Sequence, residues 1–240
     1  STVKIVALTL MVLGLFLLAL YRTNRGEVYL GYFGAMLVSW SLLSARVWWA
    51  DVPLDSDTLE FLVCTAFPVT VAFAVQFLLS YAGLRSRMIE TVLIAQCVLM
   101  PLGLLIAGPA RVFATASAWF VLLALEVVFA VGLYLVFTWR ARRVDFWPML
   151  FILSGTLAMV MVEMAVQYQA VAPPDVHMLN FAVPLMLLAI GSRLLQIFAH
   201  ALKAAQASRQ NLETRVKQAT AEIERTFAQM SEVRDEHVTQ

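Results

Sequence analysis

The sequence predicts an all-α membrane protein, a bundle of seven transmembrane helices whose last helix continues into a cytoplasmic parallel coiled coil. Hydrophobic residues make up 61% of the 240 residues and charged residues only 14%. In soluble domains hydrophobic residues average about 45–50% and charged residues about 25%. Apolar windows of about 20 residues, the length that crosses a bilayer, recur along the chain. After residue 197 the sequence becomes polar and helix-forming.

The apolar windows fall at seven positions, separated by short segments rich in turn-forming or charged residues. Short connections between long helices favour antiparallel neighbours in a bundle. The first window is expected to be a retained helix rather than a signal peptide, because no small-residue cleavage site follows it. The predicted spans are 2–20, 28–50, 58–82, 88–108, 112–138, 146–170 and 177–197. We therefore expect a transmembrane domain at 1–197 and a coiled-coil helix at 198–240.

Arginines in the connections predict the orientation of the bundle. Arg111 is the one Lys or Arg in the second, fourth and sixth connections, whereas the other connections are arginine-rich. Positively charged connections stay on the cytoplasmic side, so we expect the N-terminus outside and the C-terminus in the cytoplasm. The arginines of the first, third and fifth connections are Arg22, Arg25, Arg85, Arg87, Arg140, Arg142 and Arg143.

An apolar stripe with the spacing of a coiled coil runs through the polar tail. Steps of alternately three and four residues over 195–233 meet apolar residues at ten of twelve positions, with Arg209 and Thr226 as exceptions. A single chain offers this stripe nothing to pack against, which predicts a parallel homodimer. The predicted seam consists of Leu195, Phe198, Leu202, Ala205, Leu212, Val216, Ala219, Ile223, Met230 and Val233.

Two other interpretations of the tail remain open. It could be a solvated end with no partner, or it could lie along the membrane surface. A surface helix favours a cationic face, whereas residues 203–240 contain six Lys or Arg and six Asp or Glu. The dimeric interpretation therefore explains the pattern best.

Ionisable side chains within membrane spans are candidates for function because they are costly in lipid. Arg46 and Glu163 are predicted at similar depth in the outer part of the second and sixth spans. They either line a ligand cavity open to the outside or form a salt bridge that only fixes helix packing. In the first case Gln167, His177 and Asn180 would lie near the rim of the cavity.

Two further residues within the spans carry predictions. Glu126 lies near the middle of the fifth span, where its carboxyl group either holds a proton or hydrogen bonds to Gln76 or Gln96; the sequence leaves these alternatives open. Pro184 in the seventh span removes a backbone hydrogen bond, which predicts a kink. Such a kink could act as a hinge between an outer pocket and the coiled coil.

Taken together, these features resemble the bacterial seven-transmembrane receptors with diverse intracellular signalling modules. The resemblance rests on the seven spans and on the segment LETRVKQATAEIERT at 212–226, which looks like the signalling helix of sensor histidine kinases. It implies a bacterial inner-membrane protein that responds to an extracellular ligand or to an extracellular domain preceding Ser1. It also implies an output domain beyond Gln240, most commonly a histidine kinase and sometimes a diguanylate cyclase.

The chain itself shows no catalytic motif. His200 and His237 lack the sequence context of a phosphoacceptor histidine, and no glycine-rich nucleotide lid is present. Cys64 and Cys97 lie in apolar runs without metal-ligand spacing, so neither metal nor cofactor is expected. A net charge of +1 argues against a nucleic-acid partner.

Transport is the alternative from a different functional class. Buried charges could line a path for an ion or solute. However, the sequence shows no repeated half and no pair of interrupted helices, which many transporters have. A retinal photoreceptor would need a Schiff-base lysine in the last span, and the three lysines, Lys4, Lys203 and Lys217, lie elsewhere.

Overall fold

The structure is a computed structural model that describes residues 2–48, 56–84, 86–108, 111–143, 146–167 and 179–238. These residues form helices, with short turns between them and no β-strand, so the predicted all-α class is confirmed. The described helices are α1 Thr2–Thr23, α2 Val28–Trp48, α3 Ser56–Ala82, α4 Arg87–Ala107, α5 Val112–Arg140, α6 Phe146–Gln167 and α7 Leu179–Val238.

Five of these helices contain segments long and apolar enough to cross a membrane. The segments are Lys4–Thr23, Phe61–Ala82, Arg87–Ala107, Ala114–Arg140 and Phe146–Val166. The two remaining helices contain shorter apolar segments within the described residues, Val28–Ser44 in α2 and Leu187–Gln196 in α7. A multi-pass membrane protein fits this composition, and the number of seven spans stays a prediction.

Helix α3 lies at the centre of the packing within residues 1–191. It contacts α2, α4 and α5, while α1 packs on α2 and α6 packs on α5. Leu10, Phe33 and Tyr134 are among the large side chains that this packing buries completely. Residues 192–240 form a separate compact unit.

The contact between α1 and α2 depends on two glycines that face each other. A Cβ atom at Gly14 would lie 2.9 Å from the Gly34 carbonyl oxygen, and one at Gly34 would lie 2.8 Å from the Gly14 carbonyl oxygen. The Ser41 hydroxyl also donates a 2.7 Å hydrogen bond to the Ala7 carbonyl oxygen. Small residues let helix backbones approach closely in lipid, where packing replaces the hydrophobic effect as the main attraction.

Aromatic rings join α2, α3 and α5 towards the arginine-rich end of the helices. The Tyr81 ring lies 5.2 Å from that of Tyr29 and 6.0 Å from that of Tyr134, measured between centroids. Arg143, just after α5, donates a 2.7 Å hydrogen bond to the Tyr81 carbonyl oxygen, and its guanidinium lies 5.8 Å from the centre of the Tyr81 ring. The end of α5 is thereby attached to the end of α3.

Gly34→Ala is expected to lower the free energy of unfolding by about 1–3 kcal/mol, the usual effect of overpacking. The added Cβ would meet a backbone oxygen, which cannot move aside unless α1 and α2 separate. Denaturant unfolding of the chain in detergent micelles measures the change.

Gly132→Ala is the matched control for this prediction. A Cβ at Gly132 meets no atom of the described residues within 4 Å. Alanine has the better helix propensity, so the control should be neutral or slightly stabilising. Equal stability of the two variants would contradict the close approach of α1 and α2.

Candidate functional site

The predicted outer site lies outside the residues whose side chains the structure describes. His177 falls between the described segments, and the side chains of Arg46, Glu163, Gln167 and Asn180 are likewise outside them. The backbones of these four residues belong to α2, α6 and α7. The choice between a ligand cavity and a structural ion pair therefore stays a prediction.

Glu126 of α5 lies at a described polar site within the helix bundle. Of the two glutamines predicted as its partners, Gln96 of α4 is the one that the structure places beside the carboxyl group. The Cys97 thiol on the same helix is also close enough to interact electrostatically with Glu126. The site thus joins one carboxyl, one amide and one thiol across the α4–α5 contact.

The polar atoms at this site are buried but not aligned for hydrogen bonding. Glu126 Oε2 and both polar atoms of the Gln96 side chain, Oε1 and Nε2, have no hydrogen-bond partner with acceptable geometry among the described residues. Gln96 is only 4% exposed. Buried polar groups are nearly always bonded, so this arrangement calls for a functional or structural reason.

Gln96 faces the inside of the bundle because it lies on the same face of α4 as the buried apolar residues of that helix. Leu93, Gln96, Met100 and Leu104 are the buried residues of α4 and recur every three or four residues. This spacing is that of one helix face, so the fold buries Gln96 with its apolar neighbours. Large apolar residues such as Ile94, Val98 and Leu102 lie on the exposed side of α4 as well, so the sequence alone could not favour Gln96 over Gln76.

The membrane-side part of α7 carries the predicted hinge. Pro184 is buried and lies inside the helix. Further along the same helix, a Cβ atom added at Gly191 would lie 2.7 Å from Leu13 Cδ2 of α1 and 3.4 Å from Phe33 Cε1 of α2. Helix α7 therefore packs closely at Gly191, while the hinge at Pro184 stays a prediction.

The predicted coiled-coil seam lies on the polar part of α7. Leu212 and Val216 are 60% and 63% exposed, and Leu202 and Ala219 are exposed as well. Leu195 and Phe198 are partly buried. The side chains of Ala205, Ile223, Met230 and Val233 lie outside the described residues.

Arg209, one of the two polar residues in the predicted coiled-coil seam, has an ion-pair partner on its own helix. The Arg209 guanidinium forms a 3.1 Å ion pair with Glu213, and both side chains are largely exposed. An exposed pair four residues apart stabilises a helix by only about 0.3–0.5 kcal/mol. The pair therefore favours a solvated helix but does not explain the apolar residues on either side of it.

Gln96→Leu is expected to raise the free energy of unfolding by about 1–3 kcal/mol, the typical cost of an unsatisfied buried polar group. Leucine can fill most of the same volume without polar atoms. Unfolding in detergent micelles, compared with the unsubstituted chain, measures the difference.

Gln96→Ala serves as the control for packing, because it removes the same amide and also leaves a cavity. It is expected to be less stable than Gln96→Leu. If the leucine variant loses as much stability as the alanine variant, the amide makes a bond in the folded protein that leucine cannot replace.

Comparison of the chain with protein-family models, with curated proteins and with solved structures gave no match. The resemblance to bacterial seven-transmembrane receptors thus stays a prediction from the sequence. The residues and contacts described above are what support a function for this chain.

Proposed function

We propose that the chain is the membrane-embedded sensor and transmitter of a homodimeric bacterial signalling receptor. An external signal would change the position of α7, and the polar part of α7 would pass this change to an output domain following Gln240. A histidine kinase is the output that the resemblance to bacterial seven-transmembrane receptors implies, and a diguanylate cyclase would use the same dimeric helix.

The continuity of α7 is the observation that carries this proposal. The helix runs without interruption from Leu179 to Val238, 60 residues. It includes the apolar segment Leu187–Gln196 and then an exposed polar segment. Because a helix rises about 1.5 Å per residue, α7 is a long rod. Such a rod transmits a displacement from one end to the other if a partner holds it as a stiff unit.

The exposed apolar residues of α7 support a second copy of the same helix as that partner. Leu212, Val216 and Ala219 follow the three-and-four spacing of a coiled-coil seam and are exposed in the single chain. Covering apolar side chains of this kind is favourable by about 25 cal/mol per Å² of buried apolar area. Arg209 at a seam position reduces stability there, which keeps alternative packings of the two helices close in energy.

The contact at Gly191 supports a route from the bundle into α7. A shift of α1 or α2 would move Leu13 or Phe33 against a backbone position that has no room for a side chain. Closely packed interfaces respond to such shifts by changing between discrete arrangements. The predicted outer residues Arg46 and Glu163 would be where a ligand starts the change.

Cysteines introduced singly at Leu212, Val216 and Ala219 are expected to form disulfide-linked dimers in native membranes. Seam residues of two parallel helices face each other, so their sulfur atoms can come within bonding distance. Cys64 and Cys97, neither of which forms a disulfide, are replaced first, and the crosslinked fraction is measured on a non-reducing gel.

Thr214→Cys and Lys217→Cys are the matched controls, because the heptad places both away from the seam. They should crosslink several-fold less than the seam positions. A flat profile over all five positions would remove the support for a dimeric transmitter and leave transport as the explanation for the buried polar groups.

A further inference from the structure

Helix α5 ends with an arginine in a backbone conformation that glycine usually adopts. The Arg142 N–H donates a 3.0 Å hydrogen bond to the Trp139 carbonyl oxygen. The Arg143 N–H donates a 3.3 Å bond to the Thr138 carbonyl oxygen. These two bonds define a Schellman motif, and Arg142, with a φ of 46°, occupies its left-handed position. Among the described residues, Arg142 is the one non-glycine residue with a positive φ.

The end of α3 has the same motif with the usual residue. The Gly83 N–H donates a 3.1 Å hydrogen bond to the Ser80 carbonyl oxygen, and Gly83 has a φ of 80°. The Leu84 N–H donates a 2.8 Å bond to the Leu79 carbonyl oxygen. A side chain is disfavoured at the left-handed position because its Cβ crowds the following carbonyl oxygen. Glycine would therefore suit the end of α5 better than Arg142, so the arginine side chain calls for a reason other than folding.

The α5–α6 turn, residues 139–147, presents two arginine side chains to its surroundings. Arg140 and Arg142 are exposed, and neither guanidinium forms an ion pair or hydrogen bond within the described part of the chain. Arg143 differs, because its guanidinium is bonded at the end of α3. The sequence of the turn contains three arginines and one acidic residue, Asp145. The turn thus offers positive charge to an anion.

Exposed aromatic rings flank these arginines. Trp139 and Trp147 are 59% and 58% exposed, and their ring centroids lie 6.2 Å apart. The buried Phe146 ring lies 5.0 Å from the Trp139 ring and 5.5 Å from the Trp147 ring, which holds both indoles in place. Indole rings are favoured at the headgroup level of a bilayer. The turn therefore fits the surface of a membrane.

Apolar side chains continue this surface along both helices. Val136 lies one turn before Arg140 on α5 and is 48% exposed. Phe151 lies one turn after Trp147 on α6 and is 72% exposed. Charge, aromatic rings and hydrocarbon thus follow one another away from the turn, in the order of the phosphate, glycerol esters and acyl chains of a phospholipid. An acidic peptide or a nucleic acid would leave the hydrocarbon part uncovered.

We propose that the α5–α6 turn is a binding site for an anionic phospholipid, whose phosphate bonds to Arg140 and Arg142 and whose acyl chains lie along Val136 and Phe151. Basic residues at a membrane surface attract anionic lipids. The arginine at the left-handed position places one of the two cations beside the exposed indoles. This site requires that the helices lie in a membrane, but it does not require the chain to be a receptor.

Native mass spectrometry of the full chain in detergent micelles tests the proposal by counting bound lipids. Phosphatidylglycerol, which is anionic, is compared with phosphatidylcholine, which has no net charge, at identical acyl chains. Phosphatidylglycerol is expected to bind at least about tenfold more tightly, because each basic residue near an anionic lipid contributes about fivefold. Equal binding of the two lipids would show that the arginines select nothing, and the proposal would be wrong.

Glycerol 3-phosphate distinguishes a lipid site from a site for free phosphate. It has the phosphate of the lipid but no acyl chains, so it should not displace phosphatidylglycerol when the two are present at equal concentration. Displacement would mean that the apolar surface takes no part in binding, which contradicts a phospholipid site.

Arg142→Gly is the decisive variant, because it removes one cation and places glycine at the left-handed position. It is expected to unfold at the same or a higher denaturant concentration and to bind phosphatidylglycerol about fivefold more weakly, with phosphatidylcholine binding unchanged. Arg25→Gly is the matched control. Arg25 is exposed in the turn between α1 and α2, at the same end of the helices, and its loss should leave the lipid affinity nearly unchanged.

Two results with these variants would overturn the proposal. Equal losses of affinity in Arg142→Gly and Arg25→Gly would show that positive charge acts diffusely at this end of the helices instead of forming a site. An Arg142→Gly chain that unfolds more readily and binds phosphatidylglycerol as before would show that Arg142 serves folding.

Discussion

Close contact between helix backbones is the constraint on which this bundle depends. In an apolar environment each helix satisfies its own backbone hydrogen bonds, and the hydrophobic effect no longer drives one helix against another. Attraction must then come from short-range packing and from occasional polar bonds. The facing glycines of α1 and α2 supply the first, and the hydroxyl of Ser41 on the Ala7 carbonyl supplies the second. The hydrogen bond between Ser39 and Thr70 connects α2 to α3 in the same way.

The same constraint bears on the polar groups at the ends of the helices and between them. Arg143 is placed where its guanidinium reaches both a carbonyl oxygen and an aromatic face, so its charge is compensated at the end of α3. Glu126 and Gln96 are beside each other but retain unused bonding capacity. Local rules are broken mainly at functional sites, so the buried polar atoms of Glu126 and Gln96 are a better candidate for a role in function than the fully apolar contacts around them.

Hydropathy and charge predicted the positions of the helices along the chain well, because the length of an apolar run and its polar ends depend only on local sequence. Contacts between helices were harder to predict. Gly14 and Gly34 are two of several glycines in the spans, and the sequence does not reveal how each helix is rotated about its axis. Gln76 and Gln96 were equivalent partners for Glu126 until the buried stripe of α4 showed which one faces inward. The outer residues Arg46 and Glu163 depend on the same kind of rotation and remain predicted.

Pairing of α7 with a second copy is the central claim, and distances between spin labels test it most directly. Ala207→Cys and Thr214→Cys, labelled separately in chains without native cysteines, place labels one heptad apart on the outward face of the predicted dimer. Double electron–electron resonance in liposomes should give a narrow inter-copy distance that is nearly the same for both sites, because parallel helices keep equal residues at equal height. Absence of an inter-copy signal at high lipid dilution, or clearly different distances at the two sites, would contradict a parallel dimeric transmitter.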